Sequence, residues 1–275
     1  MFSVTYAIYL KKRGPASPIL VIAFISSCAE SYIGSTLASY IFTIQAWHIL
    51  HGLSWSVDDL QVKAALAGTT TFALLASRHP KRAPVTVGLM EHICSKLDPS
   101  NPLDTTVASC LSTTFYLIAC TREFTVPTLI VFNPTQHVKP SNISVRRDHN
   151  DLEATVFYFP KTKCATEGKD VFWSHQDGIT DPKALLENHL QVNNSPANSH
   201  LFAYKHYKGF HPLTKRTFLE RVNTIATALD KDDLKGHGIQ IGGMLDFLLC
   251  GVPFNVVKFL GQWSSEALTT SMPLS

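Results

Sequence analysis

Helical sequence patterns occupy both ends of the chain and enclose a region that has the pattern of short β-strands. Near the N-terminus, apolar residues recur at steps of three and four, the spacing of one helix face: Ile33, Leu37, Tyr40, Ile41, Ile44 and Trp47. From Phe124 the pattern changes to β-branched and aromatic runs, "FTVPTLIVF" and "EATVFYFPKTK". Further helices are predicted over residues 86–97, 104–123, 181–190, 214–229, 241–251 and 253–263. We therefore expect a mainly α-helical fold with a small β-sheet insert.

A basic, proline-containing stretch separates the first helical region from the rest. "SRHPKRAP", residues 77–84, holds two prolines and lacks apolar periodicity, which is typical of a linker. With 275 residues, of which 45% are hydrophobic, the chain can form two domains with apolar cores. We expect a helical domain with its linker over residues 1–82, and a larger helical domain that carries the sheet over residues 83–275.

Basic residues are concentrated in the first of these domains. Residues 1–82 contain seven Lys and Arg against three acidic residues, a net charge of +4, whereas residues 83–275 contain 17 against 18, a net charge of −1. The overall charge of +3 is too small to identify a nucleic-acid-binding protein. Any contact with phosphate is expected to involve the N-terminal part, where Lys81 and Arg82 either bind phosphate or lie on a solvated surface.

The cysteines give no support to metal or disulfide chemistry. All six are scattered, without a C-x-x-C pair or a paired Cys/His spacing. We expect no metal, no cofactor and a reducing, intracellular environment. The apolar run "ILVIAFI", residues 19–25, is shorter than the roughly 20 residues that cross a bilayer. It predicts a core helix, and no membrane partner is expected.

Four short motifs in a fixed order resemble those of tyrosine recombinases. They are "ACTREFTVP" at a helix end, "PKTK" in a hairpin, "GHGIQIGG" at a helix start, and "GQW" near the C-terminus. The likeness is strongest to the DNA breaking–rejoining enzymes of fungal Crypton-like mobile elements. Residues 35–55, "STLASYIFTIQAWHILHGLSW", are similar to their helical, SAM-like core-binding domain. The resemblance implies this domain, truncated at its start because residues 1–14 match its first helix poorly, followed by a catalytic domain.

The chemistry of that family explains its residue types. A tyrosine attacks a DNA phosphodiester and forms a covalent 3′-phosphotyrosine, which conserves bond energy for rejoining. Two arginines stabilise the charge that develops on the non-bridging oxygens. A hairpin lysine protonates the departing 5′-oxygen, a histidine provides general acid–base catalysis, and a Trp or His buttresses the phosphate. The resemblance thus implies double-stranded DNA as partner, and DNA recombination or integration as process.

Four positions match this pattern. The resemblance assigns the hairpin lysine to Lys163, which would also bind DNA, and the histidine to His237. It assigns the buttress to Trp263, and the acid after the first arginine to Glu123. Taken alone, Lys163 is compatible with an ordinary turn lysine and Trp263 with core packing. Glu123 is compatible with a pair to Arg122 or with a solvent-facing side chain.

Three other positions depart from the family pattern. The first arginine falls on Cys120, the second on Gln240, and the nucleophile on or near Ser271. Arg122 cannot replace the first arginine, because two residues along a helix rotate a side chain by about 200°. No tyrosine follows Tyr207, which lies far upstream of "GQW". The resemblance therefore implies a degenerate active site with lost or very weak catalysis.

Cysteine or glutamine stands at five positions where the resemblance implies arginine. These are positions 45, 120, 240, 250 and 262. Arginine codons rich in C and G become Cys or Gln codons by a single transition. The pattern favours mutational decay of a mobile element, a hypothesis that the coding DNA would contradict if these codons were not one transition away from arginine.

The residues leave three functional hypotheses open. The first is a recombinase-derived DNA-binding protein that has lost strand cleavage. A second is an active recombinase that uses unusual residues, such as a cysteine or serine nucleophile. The third is a helical scaffold or interaction protein with no DNA role. For the first two, the resemblance implies action in the nucleus, although no clear localisation signal is present, and raises the expectation of a homo-oligomer on DNA.

Overall fold

Two compact units make up the chain, residues 1–80 and residues 81–275. The computed structural model describes residues 15–29, 31–72, 83–147, 151, 153–161, 167–229 and 234–261. Over these ranges the protein is mainly helical with two small antiparallel sheets, which confirms the predicted fold class. No helix among the described residues is both long and apolar enough to span a membrane.

In its described residues the first unit contains three helices: α1 (Pro18–Ser27), α2 (Gly34–Leu50) and α3 (Asp59–Phe72). Their apolar core includes Val21, Ile25, Leu37, Ile41, Val57 and Val62. The predicted α2 stripe is only partly buried, because Tyr40 and Trp47 are 43% and 41% exposed. Buried His48 joins this core to the chain before α1, since its Nε2 accepts a 2.8 Å hydrogen bond from the Ala16 amide.

The second unit is built around one central helix. Its helices are α4 (Val87–Lys96), α5 (Pro102–Tyr116), α6 (Pro182–Asn193), α7 (Lys215–Thr227), α8 (Gly236–Leu249) and α9 (Phe254–Leu260). Every residue of α5 from Asp104 to Tyr116 is buried. Helices α4, α6, α7 and α8 all contact it. At its start, Asp104 receives two hydrogen bonds, of 2.7 and 2.8 Å, from Arg221 on α7.

Local capping explains where several of these helices begin. Asp181 accepts hydrogen bonds from the amides of Lys183 and Ala184, and Pro182 occupies the first turn of α6. In the same way, the Thr214 side chain accepts from the Thr217 amide at the start of α7. Such signals lie within a few residues of each helix start and can be recognised in the sequence.

Three strands form the larger sheet, in the order β1 (Ile143–Arg147), β2 (Glu153–Phe159) and β3 (Lys169–Ser174). Strands β2 and β3 pair antiparallel, with Phe157 opposite Val171. Side chains of one face, among them Phe157, Phe159 and Trp173, are buried in the main core. A separate hairpin consists of β4 (Ala203–His206) and β5 (Gly209–Pro212).

Two of the predicted elements are wrong in extent or type. The helix predicted over residues 104–123 ends at Tyr116, and a short 3₁₀ turn follows at Thr121–Glu123. The predicted strand over residues 124–132 is a loop that makes a single isolated β-bridge, between Val126 and Thr214. Here Phe124 and Val126 are fully buried and pack in the core, whereas Leu129, Ile130 and Val131 are exposed, so the segment has apolar residues without a strand ladder.

Candidate functional site

The end of α5 is a sharp backbone turn. Ile118 has φ +50°, a left-handed conformation that is unusual for a β-branched residue and normally taken by glycine. Its amide donates to the Phe115 carbonyl, and the Ala119 amide donates to the Thr114 carbonyl. This turn redirects the chain from α5 into the segment that contains Cys120 and Glu123.

Glycines allow α8 to lie directly against this turn. A Cβ atom at Gly243 would collide with the Phe115 carbonyl, and one at Gly242 would collide with the Val85 carbonyl. A Cβ atom at Gly236 would likewise collide with the Thr121 side chain. The glycines of "GHGIQIGG" thus let α8 lie against the backbone of Phe115 at the end of α5, the backbone of Val85 and the side chain of Thr121.

Gln240 links two of the predicted motifs through its amide group. The side chain is buried, at 7% exposure. Its Nε2 donates to the Ile118 carbonyl at 3.0 Å and to the Gly261 carbonyl at 3.4 Å. Gly261 is the first residue of "GQW", and Ile118 directly precedes "ACTREFTVP". Both N–H groups of the amide therefore point at main-chain oxygens inside the protein.

Two hydrogen bonds join Cys120 and Glu123. The Cys120 amide donates to Glu123 Oε2 at 2.9 Å, and the Glu123 amide donates to the Cys120 carbonyl at 2.8 Å. Burial raises the pKa of the Glu123 carboxyl, while the Cys120 hydrogen bond and the charges of Lys169 and Arg122 act in the opposite direction. Glu123 makes no ion pair with Arg122 in the described part of the chain, so its contact is with backbone.

Lys169 is a further cation close to these residues, and no motif in the sequence singles it out. It begins β3, and its Nζ lies 4.6 Å from the centroid of the Phe259 ring on α9. Its charge also acts on Glu123. The only sequence signal is its place after Gly168, which adopts φ +88° at the predicted hairpin turn. Lys169 thus places a cation where its charge acts on Glu123.

His237 lies in the first turn of α8, three residues before Gln240 and partly exposed. Residues three apart on a helix are neighbours on one face. The structure brings together the elements that carry Cys120, Glu123, His237 and Gln240. Among the described residues, no cluster of His, Cys, Asp and Glu could hold a metal ion.

The remaining predicted site residues lie outside the described residues. These are Lys81, Arg82, Lys163, Trp263 and Ser271, and Gln262 lies there too. Of the other positions where arginine is implied, Gln45 is partly exposed on α2 and Cys250 is exposed at the end of α8. The assignments of these residues stay predictions.

Similarity to known proteins is found in backbone structure and not in sequence. No family model matches the chain, and no curated protein matches it in sequence. Among solved structures, the FLP recombinase–Holliday junction complex I matches at 14% identity and TM-score 0.43, covering 65% of this chain and 44% of that one. The Flpe–Holliday junction complex matches at 13% identity and TM-score 0.45, covering 65% and 43%.

A third similar structure is the XerH site-specific recombinase bound to its difH substrate. It matches at 12% identity and TM-score 0.47, covering 92% of this chain and 73% of that one. The chain spans less than half the length of the FLP and Flpe chains that it matches.

Proposed function

We propose that this protein binds double-stranded DNA in the manner of a tyrosine recombinase, and that its strand-cleaving chemistry is lost or very weak. The observation that carries the proposal is the position of Gln240. Its amide binds Ile118 beside the "ACTREFTVP" motif and Gly261 in the "GQW" motif. Segments more than 100 residues apart in the sequence are therefore in contact, which supports a composite site of the recombinase type.

The same geometry explains why catalysis would fail. A phosphoryl transition state needs positive charge on its non-bridging oxygens, and Gln240 is neutral with both amide protons directed at carbonyls. Cys120 contributes no charge of the kind that an arginine supplies. Loss of one such contact typically lowers a rate by about 10²–10³, so loss of two and of the nucleophile would abolish turnover.

Each of the two domains would have a separate role. Residues 1–82 would form the core-binding domain with its basic linker, in which Lys81 and Arg82 bind DNA phosphates. Residues 83–275 would form the catalytic-type domain, with Lys163 or Lys169 as the hairpin cation and Trp263 as the buttress. The ancestral process would be recombination or integration of a Crypton-like mobile element in the nucleus, with several copies of the chain assembled on DNA.

Covalent trapping tests this proposal. The native protein and a repaired version, with Cys120→Arg, Gln240→Arg and Ser271→Tyr, are incubated with a pool of nicked duplexes of randomised sequence. The native protein is expected to bind duplex DNA with an affinity that falls steeply with salt, and to form no covalent adduct. The repaired protein is expected to form an adduct, and circular dichroism confirms that both versions are folded.

Each other outcome identifies a different hypothesis. An adduct of the native protein that disappears in Ser271→Ala or Cys120→Ala would show an active enzyme with an unusual nucleophile. A folded repaired protein that stays inert would mean that the residue assignments are wrong. Absence of duplex binding at low salt would favour a scaffold without a DNA role. Within the repaired protein, Lys163→Gln and Lys169→Gln show which lysine acts, because only that change should reduce the adduct.

A further inference from the structure

The β4–β5 hairpin presents a row of rings on one face. Tyr204 and His211 face each other across the hairpin, with ring centroids 6.0 Å apart. His206 stacks on His211 at 4.0 Å and 22°, and its ring is also 4.2 Å from that of Tyr207. Tyr207 ends the row and is 83% exposed. A row of rings that ends in solvent is a surface on which another flat ring can stack.

A cation, Lys208, lies at the end of this row, and acidic residues are absent from the surrounding sequence. Residues 188–219 contain four Lys and Arg and no Asp or Glu. On the hairpin itself, Lys208 Nζ lies 5.2 Å from the centroid of the Tyr207 ring. No carboxylate among the described residues pairs with Lys208. Burial lowers the pKa of His211, and the charges of His206 and Lys208 lower it further, as expected where cationic groups are crowded together.

The base of the hairpin is firmly held. The Lys205 amide donates to Asn193 Oδ1 at 2.8 Å, and Lys205 Nζ donates to the Val192 carbonyl at the same distance. Asn193 is fully buried, and its Nδ2 donates to the Pro102 carbonyl and to Thr106. The exposed tip therefore projects from an ordered base, which lowers the entropy cost of binding at the tip.

We propose that the β4–β5 hairpin binds DNA by stacking Tyr207 on an unpaired or unstacked base while Lys208 contacts the neighbouring phosphate. This inference rests on the proposed function, since it takes DNA as the partner. An exposed aromatic ring beside a lysine without a carboxylate partner fits a nucleic-acid strand, in which flat bases alternate with anionic phosphates. The hairpin would thus favour DNA that is gapped or distorted over a continuous duplex.

Binding to two DNA probes tests the hairpin. The full chain is titrated with a continuous duplex and with the same duplex carrying a short single-stranded gap. Tyr207→Ala is expected to weaken binding to the gapped probe about 10-fold and to leave binding to the continuous duplex nearly unchanged. Tyr207→Phe is the matched control and should keep the preference, because it retains the ring. Lys208→Gln should weaken binding to both probes.

The outcomes separate this inference from the function on which it rests. Equal affinity of Tyr207→Ala and the native protein for the gapped probe would overturn the hairpin contact and leave duplex binding intact. Failure of the native protein to bind either probe would instead overturn the proposed function. Binding to anionic lipid vesicles that is lost in Tyr207→Ala, with DNA binding unchanged, would also overturn the hairpin contact by assigning it to a membrane surface.

Discussion

Ile118 and Gln240 form a pair in which a side chain stabilises an unfavourable backbone conformation. A left-handed residue with a Cβ costs about 1–2 kcal/mol, and the carbonyl of Ile118 is buried. The Gln240 amide satisfies that carbonyl at 3.0 Å. The free energy that the hydrogen bond contributes therefore supports the turn on which Cys120 and Glu123 depend.

Replacement of Gln240 by leucine should therefore destabilise the protein. The change leaves the Ile118 carbonyl buried without its donor, which costs about 1–3 kcal/mol in the free energy of unfolding. Gln191→Leu, at an exposed position of α6, is the control and should change stability by less than about 0.5 kcal/mol. Urea denaturation followed by circular dichroism measures both. Equal stability of the two variants would show that the Gln240 hydrogen bond does not contribute to the free energy of unfolding.

At the scale of elements, a buried polar network joins α5 to α6, because Asn193 on α6 donates to Thr106 on α5 and also to His189. His189 on α6 is fully buried, and its Nε2 donates to the Leu201 carbonyl at 3.0 Å. Its Nδ1 accepts from Asn193 Nδ2, also at 3.0 Å. This geometry fits only the neutral imidazole, because a second proton on Nδ1 would face the Asn193 donor. Burial accordingly lowers the pKa of His189 from 6.5 to about 4.

This network makes the stability of the second unit depend on pH. The unfolded chain takes up a proton at His189 below about pH 6.5, whereas the folded chain does so only near pH 4. The stabilisation is therefore complete above pH 6.5 and is lost as the pH falls towards 4. Between about pH 7 and pH 5 the loss from this residue is about 2 kcal/mol.

A variant isolates the contribution of His189. His189→Gln keeps a donor and an acceptor but cannot titrate, so its free energy of unfolding should fall about 2 kcal/mol less than that of the native protein over this pH range. Denaturant titrations at several pH values provide the comparison. His200 is present in both proteins, and burial, the largest cause, lowers its pKa to about 3 in each; the charge of His189 is the last of the causes and is the part that differs. If the free energy of unfolding of the two proteins depended on pH in the same way, His189 would not be the cause of the pH dependence.

Helix starts can be predicted where the capping residue is adjacent in sequence. Helix ends and site residues cannot be predicted where they depend on contacts with residues far away in the sequence. Caps at Asp181 and Thr214 lie next to the helices that they start. The end of α5 instead depends on Gln240, which is 122 residues away. Lys169 was missed for the same reason, because its contact with Phe259 is long-range. The motif positions Cys120, Glu123 and Gln240 could be assigned because their order and spacing resemble a family.

At the scale of the whole molecule, charge is divided unevenly along the chain. Residues 1–82 carry +4, and residues 83–275 carry −1. Several cations of the second unit are already paired, such as Lys183 with Glu153 and Arg216 with Glu220. Paired cations release few counterions from DNA, so the salt dependence of binding should come mainly from unpaired groups.

The linker cations Lys81 and Arg82 should account for part of that salt dependence. Changing both to glutamine is expected to reduce the slope of log affinity against log salt by about 2, close to 0.9 for each lost phosphate contact. The control, Lys183→Gln with Arg216→Gln, removes the same charge from ion-paired positions and should reduce the slope much less. Fluorescence anisotropy with a duplex at several salt concentrations measures the slopes. Equal reductions would exclude a specific linker contact.

The contact between Gln240 and Ile118 also restricts the order in which the site could be converted back to a charged one. An arginine at position 240 that turned towards phosphate would release a carbonyl held in a left-handed turn. Ile118→Gly would relieve that turn beforehand, because glycine adopts positive φ without steric cost. Restoration of charge therefore costs less stability after this electrically neutral substitution, and the two changes made in the opposite order pass through a less stable intermediate.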